Sequence, residues 1–200
     1  MKAVIEGRFN ENIARVRNLL SIYGTHLSGS GGGRRSHSKT DVLRAATVML
    51  HASLEDLLRS IAYWRLPLAN AESLNKIPLA NNAPATKFTL GQLSGFRGQT
   101  VDDVIISSVN GYLERSNYNN TDEVSSLLSA VGIDISAVNQ WYPKLDEVMS
   151  RRHQIVHRAD RDESGGRGNH SVRSIGQTTV NNWVADVEAF GRALLSELPA

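Results

Sequence analysis

The sequence predicts an all-α protein, an up-and-down helical bundle with a helical insertion. Three observations predict it. Four long segments repeat apolar residues three and four positions apart, the period of one helical face. No segment gives a convincing strand, and no internal repeat is present. Stretches rich in glycine or proline separate the periodic segments. The chain has 200 residues, 40% of them apolar and 21% charged, which suffices for one domain with a sizeable core.

The first helix is expected over 3–23, where Val4, Ile5, Phe9, Ile13, Val16, Leu19, Leu20 and Tyr23 share a face and Gly24 stands as a stop. Residues 25–38 read as a flexible Gly/Ser-rich loop. Its Gly31-Gly32-Gly33 run lacks the Lys-Ser/Thr ending of a phosphate-binding P-loop, and no strand precedes it. Arg34 and Arg35 in this loop are candidate contacts to a polyanion. The second helix is expected over about 41–65, capped by Thr40 or Asp41 and ended by Pro67. It has the strongest apolar periodicity of the chain, from Val42 through Leu43, Leu50, Leu54, Leu58 and Ile61 to Trp64.

Residues 67–140 are expected to form a helical insertion or cap. Short turns fall near 71–74 and 90–96, and longer helices at 101–113 and 122–131, the last closed by Gly132. Pro143 suits the first turn of the next helix, which runs through Leu145, Val148, Met149, Arg152, Ile155 and Val156. A polar loop over 160–169 leads to a last helix over about 177–197, with Val180, Trp183, Val187, Phe190 and Leu194 on its apolar face. The whole chain, 1–200, reads as one domain.

Composition excludes several classes of function. There is no cysteine, hence no disulfide, thiolate zinc site or cysteine nucleophile, and a cytoplasmic location fits. No run approaches the roughly 20 apolar residues that span a bilayer, and the first residues lack the apolar core of a secretory signal. Net charge is only +2, although the isoelectric point is about 9.0. Local clustering of cations is therefore more informative than the sum.

The densest cluster is Arg151-Arg152-His153-Gln154-Ile155-Val156-His157-Arg158. On an ideal wheel at about 100° per residue, Leu145, Val148, Met149, Ile155 and Val156 all fall within about 60° of Arg152. Arg152 is thus expected at the centre of the apolar stripe, with Arg151 and Arg158 turned to water as candidate RNA contacts. An arginine on that stripe snorkels, faces a partner or pairs with a carboxylate, for which Glu55 and Asp56 are candidates. His153 and His157 lie one turn apart, the spacing of a two-histidine metal pair. The glutamate that usually follows the first histidine is missing and no third ligand is obvious, so no metal is assigned; His170 is a loop residue that nothing ties to the pair. Histidine transfers protons near neutral pH, and arginine matches a phosphate. On an ideal helix Arg152 and His157 point about 140° apart. A common phosphate therefore requires a distorted helix end or a second copy of the chain, and a two-fold dimer places two such motifs face to face.

The segment Arg152-His153-Gln154-Ile155-Val156-His157 resembles the Arg-x4–6-His motif of the HEPN superfamily, with a polar residue directly after the arginine. Arg158-Ala159-Asp160 is similar to prokaryotic branches of it. The helix from Asp41-Val42-Leu43-Arg44-Ala45-Ala46 to His51-Ala52-Ser53-Leu54-Glu55-Asp56 resembles the early core helix of the RiboL-PSP-HEPN branch, and the last helix resembles its closing helix. The likeness covers about 40–195. It implies a HEPN-like bundle, a homodimer with a composite site, and a metal-independent endoribonuclease without cofactor that attacks the phosphate with the ribose 2′-hydroxyl. By the same resemblance His157 is the base or acid and Arg152 stabilises charge on the phosphate. His153 positions or assists, and Glu55, Arg44 and Asp56 support. Family members are frequent in toxin–antitoxin and phage-defence systems, which implies RNA as substrate and an antitoxin or defence protein as partner. Others have lost catalysis and serve as RNA-binding or protein-interaction modules.

Overall fold

The computed structural model describes residues 1–29, 37–80, 87–162 and 171–199. Among these residues eight α-helices form, and the one β-type feature is an isolated antiparallel bridge between Arg161 and Val172. The protein is all-α, as the periodicity predicts. Among the described residues no helix is long and apolar enough to cross a membrane.

Helix α1, Lys2–Ile22, buries Ile5, Phe9, Ile13, Val16 and Leu20 along one stripe. It does not stop at Gly24. The chain continues through a wider π-type turn, Tyr23–Leu27, whose Tyr23 is buried. Gly24 serves packing instead: a Cβ there would stand 2.9 Å from Gln177 Nε2, the amide that donates to the Leu20 carbonyl at 3.2 Å.

Helix α2, His37–Arg65, is the central column and packs on α1 and on both C-terminal helices. Leu43, Ala46, Leu50, Leu54, Leu57, Leu58 and Ile61 are all buried. Each such leucine contributes about 1.5–3 kcal/mol relative to exposure. The helix starts one turn earlier than expected, so neither Thr40 nor Asp41 is its cap. No breaker separates Ser38 from Thr40, and both expected cap side chains turn to Arg44 instead, Thr40 Oγ1 at 2.7 Å and Asp41 Oδ1 at 3.2 Å. Of the expected 25–38 loop, 25–27 lie in the π-type turn and 37–38 in α2; residues 30–36, with Arg34 and Arg35, are outside the described residues.

Between 67 and 140 come α3 (Ala71–Leu74), α4 (Leu90–Leu93), α5 (Val101–Leu113) and α6 (Thr121–Ala130). Each starts at a side-chain cap: Asn70, Thr89, Thr100 and Asn120 accept from the backbone three residues on. Such a cap is typically worth about 1 kcal/mol. Gly132, at φ +77°, lets the chain leave α6 in a left-handed turn. Helix α5 packs on α2 and α6 on the following helix, α7.

Helix α7, Tyr142–Arg158, carries Pro143 in its first turn and buries Leu145, Val148 and Met149. Helix α8, Gln177–Ser196, closes the bundle with Val180, Trp183, Val184, Val187, Phe190, Leu194 and Leu195 buried. It approaches α1 closely at Gly191, where a Cβ would stand 2.4 Å from Phe9 Cζ.

Candidate active site

The core covers the apolar stripe of α7 only as far as Met149. Beyond it the next buried side chain of the helix is Arg151, 7% exposed, whereas Arg152 is half-buried. This corrects the wheel-based expectation that Arg151 faces water and touches RNA. The cause is a chain reversal just past the helix. Ala159 and Asp160 adopt φ 49° and 56°, left-handed values that cost L-residues on the order of 1–2 kcal/mol each. The reversal folds Asp160 (0% exposed) and the chain before α8 over the Arg151 side of the helix.

There Asp160 Oδ2 accepts from Arg151 Nη2 at 2.8 Å and from Arg44 Nε at 2.7 Å. The Arg173 carbonyl accepts from Arg44 Nη2 at 2.7 Å and Arg151 Nη2 at 3.1 Å, and the Ser174 carbonyl from Arg151 Nη2 at 3.0 Å. Two guanidiniums thus share one carboxylate in the protein interior. Burial lowers the Arg151 pKa, and Asp160 opposes that shift. Arg44 is therefore an anchor between α2 and the reversal, well removed from solvent.

His153, His157, Arg158 and Val156 are exposed, and Ile155 and Gln154 are half-buried. The His153 and His157 rings lie 4.6 Å apart, tilted by 43°. Gln154 Oε1 accepts from Arg173 Nη1 at 2.8 Å. Arg152 has no carboxylate within salt-bridge distance among the described residues. Its expected partners are engaged elsewhere: Glu55 with Arg59 at 3.2 Å, and Asp56 with Arg8 at 3.5 Å and Asn12 at 3.2 Å on α1. The two acids are about 100° apart on α2, so Asp56 faces α1 and lies apart from the site. Glu55 stays on the site's side, 3.9 Å from His51 Nδ1.

Sequence reasoning passed over two residues. His51 is buried beside the charge of Arg152; its Nε2 lies 3.2 Å from the Tyr118 carbonyl, which can only accept, so Nε2 carries the proton. Desolvation, then Arg152, lowers the His51 pKa, against smaller opposing effects of Glu55 and the Tyr118 carbonyl. The available signal was the spacing of His51, Glu55 and Arg59, a polar rib at every fourth residue of α2. Arg59 completes the rib by donating to the carbonyls of Leu113 and Ser116 at the end of α5. Asp160 is the second residue, a lone acid after a basic cluster.

The RiboL-PSP-HEPN family matches residues 10–198. The chain belongs to this family. The match runs from within α1 to just past the end of α8, so it includes the larger part of α1, which the likeness read from the sequence left out. It also includes the full turn from Arg151 to Asp160. Neither the curated proteins nor the solved structures gave a match.

In this HEPN chain, then, one end of one helix presents two solvent-facing imidazoles and a half-buried guanidinium with no paired carboxylate among the described residues. Imidazoles supply proton transfer and the guanidinium a fixed positive charge for an anionic oxygen. Among the described residues no group of three His, Cys, Asp or Glu side chains could hold a metal ion, and His170 lies outside those residues.

Proposed function

We propose that the protein is a metal-independent endoribonuclease. An imidazole at the end of α7 takes the proton of a ribose 2′-hydroxyl, whose oxygen attacks the adjacent phosphorus. The P–O5′ bond breaks, and the departing 5′-oxygen receives a proton. His157 is the base or acid, His153 assists and Arg152 holds the charge that builds on the phosphate oxygens. Arg158 contacts the RNA backbone, as do Arg34 and Arg35. The observation that carries this reading is the contrast between adjacent arginines: Arg151 is paired with Asp160, whereas Arg152, next to two exposed histidines, has no carboxylate within salt-bridge distance among the described residues.

The working form is a homodimer. Val156 is 48% exposed on the last turn of α7, next to Arg152 and His157, which an ideal helix points about 140° apart. A second α7 across a two-fold axis covers that apolar surface and supplies the complementary half of the site. The protein acts in the cytoplasm as a toxin or phage-defence effector, held in check by an antitoxin or another component of its system. Purified protein should cut RNA, and not DNA, in excess EDTA, because the nucleophile is the substrate's own 2′-hydroxyl. His157→Ala should abolish cutting while the thermal transition stays unchanged. Equal cutting by the variant would remove His157 from the mechanism.

A second reading draws on exposed apolar side chains in the 67–140 segment, among them Leu90 at 86% and Val101 at 76%. Such exposure suits a non-catalytic RNA-binding or protein-interaction module. It predicts salt-sensitive RNA binding without product, or capture of a protein partner.

A further inference from the structure

We propose that the Arg151–Asp160 ion pair is a positioning device that brackets the catalytic turn and holds His157 in register with Arg152. The inference rests on the ribonuclease reading above and names what keeps that site in shape. Between Arg151 and Asp160 not one side chain is buried: residues 152–159 are half-buried or exposed. Core packing therefore does not fix this turn, although a misplacement of about 1 Å in a catalytic group costs on the order of 10²-fold in rate.

Beyond the backbone hydrogen bonds of α7, which run to Arg158, the segment is closed at its two ends. Arg151 Nη2 and Asp160 Oδ2, nine residues apart in the chain, meet at 2.8 Å. The Gln154 carbonyl, inside the bracket, accepts from the backbone N–H of both Ala159 and Asp160, the latter at 3.0 Å. Asp160 in turn is tied to the strand-like chain before α8, where its carbonyl accepts from Arg173 N at 2.8 Å and the Arg173 guanidinium returns to Gln154. The two left-handed residues at 159 and 160 are non-glycines, a shape costly for Ala159 above all, and the gripped carboxylate adds to the backbone bonds that hold it. Arg44 grips the same oxygen from α2 and is as buried as Arg151, each side chain being 8% exposed, but it lies outside the bracketed turn.

That asymmetry supplies a matched comparison. Arg151→Met leaves the Arg44–Asp160 pair but opens the bracket. Arg44→Met leaves the bracket closed. Both remove one of two buried guanidiniums from one carboxylate. Single-turnover RNA cleavage and RNA affinity are measured for both, at a temperature where circular dichroism shows each fully folded. Hydrogen exchange of the amides from Gln154 to Asp160 is measured alongside. Arg151→Met should cleave about 10²-fold slower than wild type, with affinity changed little and those amides exchanging faster than in Arg44→Met. Arg151→Lys, which retains one donor for Asp160, should recover most of the rate. Equal losses in the two Met variants, or no recovery with Lys, would overturn the proposal. Absence of cleavage by wild-type protein would instead remove the ribonuclease reading. The exchange rates then decide the bracket by themselves: equal protection in the two Met variants refutes it.

Discussion

Asp160→Asn is the most discriminating single change available. Asparagine keeps the size of the side chain and tolerates the left-handed backbone that Asp160 adopts, φ 56°. What it removes is the buried carboxylate shared by two guanidiniums, each 8% exposed at the side chain, leaving Arg44 only the exposed Asp41. Breaking a buried ion pair by deleting one partner typically costs about 3–5 kcal/mol, because the remaining charge stays desolvated. An amide oxygen still accepts one hydrogen bond here, which places the expected loss near the lower bound, ~3 kcal/mol. For a chain of this length each kcal/mol moves the melting temperature by about 2–4 °C, so a fall of about 6–12 °C is expected. Thermal and urea unfolding followed by circular dichroism read the effect directly. The reasoning makes a second demand. Replacing both guanidiniums as well, in Arg44→Met/Arg151→Met/Asp160→Asn, should recover most of the lost stability, since an apolar filling of similar volume needs no counter-charge. A cost below about 1 kcal/mol for Asp160→Asn, or a triple variant less stable than the single one, would show that the cluster is solvated and that its burial does not set its energetics.

Two further outcomes follow from the packing and the buried histidine. Gly191→Ala should destabilise the bundle by about 1–3 kcal/mol, since the new methyl meets the Phe9 ring and α1 and α8 must separate to admit it; unchanged urea unfolding would refute so close an approach. His51 has a folded-state pKa below its unfolded value of 6.5, so the unfolded chain binds the proton more readily and stability is lost as pH falls through 6.5 toward the lowered value. His51→Gln should therefore flatten the fall in melting temperature between about pH 7 and 5; parallel profiles for the two proteins would show that His51 does not titrate differently in the folded state.

The helices were legible because each is written in its own apolar period. The ends of α5, α6 and α8 fall within a residue or so of expectation, where a cap, a glycine or the last apolar contact marks them. The start of α2 was not legible, for a physical reason: Thr40 has the chemistry of a cap, but a buried arginine one turn later offers its oxygen a stronger donor than a backbone N–H. Gly24 misled in the opposite way. Its missing side chain accommodates Gln177 from a helix about 150 residues away, and short-range rules treat every such glycine as a stop.

The site was half legible for a related reason. The wheel ranks Arg152 as the most central residue of the α7 stripe, and a wheel knows only the helix it is drawn on. Which flank of that helix is covered depends on where the chain goes next, and the turn at Ala159 and Asp160 carries no glycine to announce it. Once that turn is made, Arg151 meets Asp160 and Arg152 does not, so two chemically identical neighbours acquire opposite surroundings. Arg151 has the desolvated, carboxylate-paired charge of a structural element. Arg152 has no carboxylate within salt-bridge distance among the described residues and lies next to a buried histidine and two exposed ones. A half-buried cation without a paired carboxylate carries a desolvation cost. In the proposed ribonuclease an incoming phosphate offsets that cost, and the neighbouring imidazoles are the side chains that exploit its chemistry.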